Sequence, residues 1–173
     1  MVIRNKIWEE LKQAHVNVLC IRWYTNRQRK FERIYQLFIA MVASGGTFGY
    51  LLNDYAPLIG SGIIAFVSVA KSLFPNFLQP EKELCILDEL MDFYNLYMND
   101  MEYIFHKVDK KEITEKEAID DIHEKKSKEC HKQSIMNRFI RSIPPKREKK
   151  IEYESTQYIN RVYFNKYEET KNN

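Results

Sequence analysis

Three side chains able to ligate a metal, His123, Cys130 and His131, fall within nine residues of a 173-residue chain. A tetrahedral site would need a fourth ligand beside them. Lys125, Lys126, Lys128 and Lys132 surround them and repel a cation, so no metal site is expected. Cys20 and Cys85 lie far away, and no C-x-x-C pair occurs, which favours reduced thiols over a disulfide framework. There is no Gly-rich phosphate loop, no G-x-S-x-G and no H-E-x-x-H. No enzymatic function and no cofactor are expected. His15 reads as a helix-surface or seam-flanking residue.

Basic side chains offer a different chemistry, contact with anions. The stretch 125–150 holds ten Lys/Arg against two Glu, a net of +8. Its candidates are Lys125, Lys126, Lys128, Lys146 and Arg147. Anionic lipid headgroups are the default partner for such a segment beside a membrane. A nucleotide signal or RNA is the sharper alternative, and a solvated charged face is a third; direct nucleic-acid binding is not expected. Arg22, Arg27 and Arg29, interleaved with Trp23 and Tyr24, pose the same choice.

The elements that position these residues are sharply segregated by charge. Between Ile34 and Pro80 only Asp54 and Lys71 are charged. The run from Ile34 to Asn53 is twenty uncharged residues, enough for a helix of about 30 Å, the hydrocarbon thickness. A second run from Tyr55 to about Phe77 reaches the same length if Lys71 snorkels to the interface. Asn53, Asp54 and Pro57 predict a tight turn between them. Arg27, Arg29, Lys30 and Arg33 precede the first span, Lys71 and Lys82 close the second, and the turn holds no positive charge. This is the positive-inside pattern of a hairpin with both termini in the cytoplasm. No cleavable signal peptide is expected, because the first apolar run follows a long charged segment. A buried hairpin in a soluble bundle is the competing interpretation. Gly45 and Gly49 form G-x-x-x-G, and Ser44, Thr47, Ser61, Ala65 and Ser68 keep both spans small-faced. Such faces either pack the two spans of one chain or mediate oligomerisation and line a polar path, with Lys71 at its mouth.

Two heptad seams flank the hairpin. Ile7, Leu11, Ala14, Val18, Ile21 and Thr25 form one; Leu84, Leu87, Met91, Tyr94, Met98, Met101, Phe105 and Val108 form the other, with Leu90, Tyr97 and Ile104 as a second stripe. Net charge is +5 over residues 1–33 and −5 over 81–108. The two segments are therefore expected to pair antiparallel. Thr114 and Glu117 predict a capping box opening a peripheral helix through Ile119 and Ile122. Pro144 and Pro145 break the chain, and Tyr153, Gln157, Asn160/Arg161 and Phe164 then recur at helical spacing, as a helix packing back or an interaction tail. The expected fold is an all-α membrane protein, a two-helix transmembrane hairpin extended by cytoplasmic antiparallel helices. Its parts are an N-terminal helix (1–33), the hairpin (34–78), a helical region (81–143) and a C-terminal segment (144–173).

The layout resembles the SLATT proteins, two-transmembrane effectors of bacterial conflict systems. The resemblance rests on Trp8 in an N-terminal helix, the cluster RWYTNRQRKFER before the first span, the tight hairpin, the long helix after the second span and the segment KKEITEKEAID; it covers about Lys6 to Ile122. It implies an inner-membrane effector that oligomerises and permeabilises the bilayer during phage infection. The trigger would be a partner protein or a nucleotide second messenger. No segment reads as a nucleotide sensor, which favours a partner protein.

Overall fold

The first helix of the computed structural model, α1, spans Val2–Gly45. It meets no proline, and no glycine before its last residue, in 44 residues, so nothing in the backbone chemistry interrupts it. The structure describes residues 2–45 (side chains 3–41), 65, 68, 69, 80–140 and 142–163. Three further helices follow: α2 (Glu81–Asp109), α3 (Glu115–Phe139) and α4 (Pro145–Tyr163). Every element among the described residues is helical, as an all-α chain requires.

Two compact units share α1: residues 1–24 with 85–173, and residues 25–84. Within the first, hereafter the head, contacts fix the helix directions. Arg4 of α1 reaches Asp109 of α2 at 3.7 Å and lies 5.4 Å from the Phe105 ring, while Glu10 accepts from Tyr97. Position rises on one helix as it falls on the other, so α1 and α2 run antiparallel. Asp100 of α2 pairs with Lys125 of α3, and Tyr94 with Glu129, which makes that pair antiparallel too. Trp8 and His15 of α1 meet Asn160 and Ser155 of α4, again antiparallel. The head is an up-down-up-down four-helix bundle.

Both predicted seams are inside. Ile7, Leu11, Ala14, Val18 and Ile21 are buried, as are Leu87, Tyr94, Met98, Met101 and Phe105 and the second stripe Leu90, Tyr97 and Ile104. Met91 and Val108 are half-buried. α1 has a second buried row of its own, Ile3, Glu10 and Asn17, seven residues apart.

The predicted peripheral helix is instead structural. α3 buries Ala118, Ile122, Glu129 and Met136, and leaves Ile119 exposed. The capping box forms at its start: Thr114 N–H donates to Glu117 Oε2 at 2.8 Å, and Glu117 N–H to Thr114 Oγ1 at 3.3 Å. The Thr114 N–H, and the Thr114 hydroxyl donating to the same oxygen at 2.8 Å, hold the Glu117 carboxyl below its ordinary range. Thr114→Ala should lower stability by about 1 kcal/mol, read as a shifted urea midpoint at unchanged slope.

The α2–α3 link turns on Lys111, at φ 57°. Glu112 N–H reaches back to Lys107 O and Lys111 N–H to Val108 O, a Schellman closure with lysine where glycine is usual. Pro145 opens α4 as its first residue, a position where the missing N–H costs nothing. α4 is a packed helix, and its inner face is Ile151, Ser155 and Ile159. Tyr153 and Gln157, predicted from spacing, lie outside. Phe164 falls outside the described residues.

The first predicted span begins in α1, which continues unbroken from Ile34 to Gly45. That stretch covers about 18 Å of the roughly 30 Å required. Residues 46–53 and most of the second span lie outside the described residues; Ala65, Ser68 and Val69 are helical and exposed. No described helix is long and apolar enough to cross a membrane.

Candidate functional site

The apolar core of the head encloses polar side chains. Glu10, Asn17 and Glu129 are almost fully buried although their side chains carry charge or amide groups. Each needs partners, because an unpaired buried polar group costs about 1–3 kcal/mol. Tyr97 Oη donates to Glu10 Oε2 at 3.1 Å, and Lys126 of α3 pairs with the other Glu10 oxygen. Tyr94 Oη donates to Glu129 Oε1 at 3.2 Å. Gln13 Nε2 donates to Asn17 Oδ1 at 3.1 Å. Two tyrosines of α2 thus bind carboxylates on two different helices. Burial, then the neighbouring carboxylates, pushes both phenols above their ordinary range. Burial raises the Glu129 carboxyl, helped by Glu10 and opposed by Tyr94 and Lys126.

A second polar seam joins α1 to α4. His15 Nδ1 and Ser155 Oγ share a hydrogen bond at 3.0 Å. The imidazole stacks on Tyr158 with ring centroids 4.3 Å apart. Trp8 Nε1 donates to Asn160 Oδ1 at 3.0 Å. Burial lowers the His15 pKa, Arg22 lowers it further and Glu154 partly offsets this. Ser155 is fully buried, so its hydroxyl is a structural partner and no reactant reaches it. Cys20, further along α1, is raised to about 11 by burial and by Glu148, with Arg147 opposing; it is an inert thiol at neutral pH.

The His15 shift has a sign that can be measured. A lowered folded pKa means the unfolded chain takes the proton first. Stability is then full above pH 6.5, the ordinary value, and falls as pH drops below it. Glu129, with its raised pKa, acts in the opposite direction on acidification. The His15 part is isolated by His15→Gln: urea midpoints should fall less between pH 7.5 and 5.5 in the variant than in the parent.

The basic candidates divide. Lys125 pairs with Asp100 at 2.8 Å, Lys126 with Glu10, and Lys128 with Glu124 at 2.7 Å. These three hold intramolecular ion pairs, two of them between helices, and the structure does not gather them into one anion cradle. Arg147 is half-buried near Cys20. Lys146 is exposed on α4, and Arg22 and Arg27 are exposed on α1; Arg29 is half-buried. The Arg27 guanidinium lies 5.4 Å from the Phe31 ring. Of the small-residue candidates, Ser44 and Gly45 form the end of α1, and Ala65 and Ser68 are helical and exposed. Thr47, Gly49, Ser61 and Lys71 lie outside the described residues. His123, Cys130 and His131 are exposed along α3, and no three metal-ligating side chains converge among the described residues.

Sequence reasoning missed the polar interior. Its signal was the seven-residue recurrence of Ile3, Glu10 and Asn17, and the partners of Glu10, Tyr97 and Lys126, stand on the second and third helices. The fold and site define an up-down four-helix bundle with a buried carboxylate–tyrosine centre. No known protein family, curated protein or solved structure matches the chain.

Proposed function

We propose that this chain is a membrane-embedded effector: a four-helix head carried on two apolar spans in the bacterial inner membrane, both termini cytoplasmic. It oligomerises and permeabilises the bilayer when a partner protein or nucleotide signal engages it, in an abortive response to phage. The observation that supports this reading is one face of α1. Phe31, Ile34, Leu37 and Met41 are 44–65% exposed, Arg27 and Lys30 precede them, Arg33 stands between Phe31 and Ile34, and the chain stays uncharged from Ile34 to Asn53. A largely exposed apolar face bordered by cations suits a bilayer interface.

Fractionation followed by vesicle reconstitution tests it. The protein should remain with membranes and release entrapped dye when activated, and Gly45→Leu with Gly49→Leu should bring release down to that of empty vesicles. Recovery in the soluble fraction without detergent would end the membrane reading. Membrane retention without leakage would leave the alternative, a non-conducting anchor recruiting a cytoplasmic partner.

A further inference from the structure

The charges of α2 and α4 are sorted by face. At 100° per residue, Glu89, Asp92, Leu96 and Tyr103 share the outward side of α2, and Leu96 and Tyr103 are 64% and 61% exposed. Lys107 sits 4.3 Å from the Tyr103 ring, so the acidic part of this face is the stretch from Glu89 to Leu96. On α4 the outward side carries Lys146, Lys149, Tyr153 and Arg161, with Tyr153 66% exposed. The acids of α4 lie elsewhere: Glu148 and Glu152 act on Cys20, and Glu154 on His15, both on α1. One outer face is therefore acidic around an exposed leucine and the other basic around an exposed tyrosine. Glu89 to Leu96 and Lys146 to Tyr153 each cover about 10 Å of helix axis, so the two patches match in length as well as in sign.

We propose that the head binds a second copy of this chain head to tail, the α2 face of one copy on the α4 face of the next. The two patches differ, so the contact is heterologous and propagates until a ring closes or a filament grows. Leu96 and Tyr153 supply the apolar centre, and Glu89 and Asp92 meet Lys146 and Lys149 at the rim, where opposite charge sets register and partner choice. The proposal deepens the oligomerising effector reading and specifies its oligomer, but its readout needs no membrane leakage.

The test uses the full chain in mild detergent, with its mass measured by light scattering during size-exclusion chromatography. The parent should run as a multiple of 20.8 kDa, and its mass should fall in high salt, which screens exposed pairs. Glu89→Lys with Asp92→Lys, and separately Lys146→Glu with Lys149→Glu, should each lower the mass. Carrying all four changes in one chain, or mixing the two paired variants, should restore it. Circular dichroism on each variant separates dissociation from unfolding, and the mixture keeps the test open if the fourfold variant fails to fold. A parent of one-chain mass overturns the proposal. So do paired variants that assemble like the parent, or a helical fourfold variant and a mixture that both stay dissociated. If the lysine variant keeps its mass and instead loses binding to anionic vesicles, the α4 face is a lipid contact and the proposal also falls.

Discussion

Tyr94→Ala is expected to destabilise the head by about 3–5 kcal/mol, the range for removing a large buried aromatic. The side chain is completely buried, so a cavity opens between α1, α2 and α3. The same change removes the donor to Glu129, leaving a buried carboxylate without its phenol. Tyr94→Phe separates the two effects: it keeps the ring and loses only the hydroxyl, so about 1–3 kcal/mol is expected. Chemical denaturation of both variants measures the difference. A Tyr94→Phe variant as stable as the parent would mean that the carboxylate–tyrosine contact contributes nothing beyond packing.

Truncation after Ile140 is the second large expectation. It removes α4 and with it the burial of Ile151 and Ile159, both fully enclosed. At about 1.5–3 kcal/mol for each side chain, the loss is roughly 3–6 kcal/mol, a large fraction of a small domain's stability. Two local readouts accompany it. The Cys20 thiol, held near pH 11 by its surroundings, should become reactive to a maleimide at neutral pH, and the His15 pKa should rise toward 6.5. An unchanged melting profile with an unreactive Cys20 would mean that the last helix is an appendage.

Features carried by local chemistry were legible in the amino-acid sequence. The Thr114–Glu117 box needs only two residues three apart, and it forms. The antiparallel pairing of α1 with α2 follows from two long seams whose residues are nearly all apolar. Legibility ended where polar groups fill apolar positions. Glu129 interrupts the inward row of α3 and made that helix look peripheral, because its partner Tyr94 lies 35 residues away. In α4 the aromatic Tyr153 drew attention to the wrong face, while the inward row pairs Ile151 and Ile159 with a serine that depends on His15. Lys125 and Lys126 looked like part of a solvated basic run. Their acids, Asp100 and Glu10, stand on other helices, and no pattern local to residues 125–150 reveals them.

The order in which the bundle is written along the chain has a consequence for its birth. Trp8 and Asn160 are 152 residues apart, and α1 is complete long before any of its partners exists. α2, α3 and α4 follow one another through links of a few residues and can collapse together as they emerge. At about 5–20 residues per second, the seam of Ile7, Leu11, Ala14 and Val18 waits on the order of ten seconds for its cover. During that interval a neighbouring nascent chain competes for the same groove. The head closes last around the helix that was made first, so exchange of α1 between chains is the misassembly to which this topology is most open.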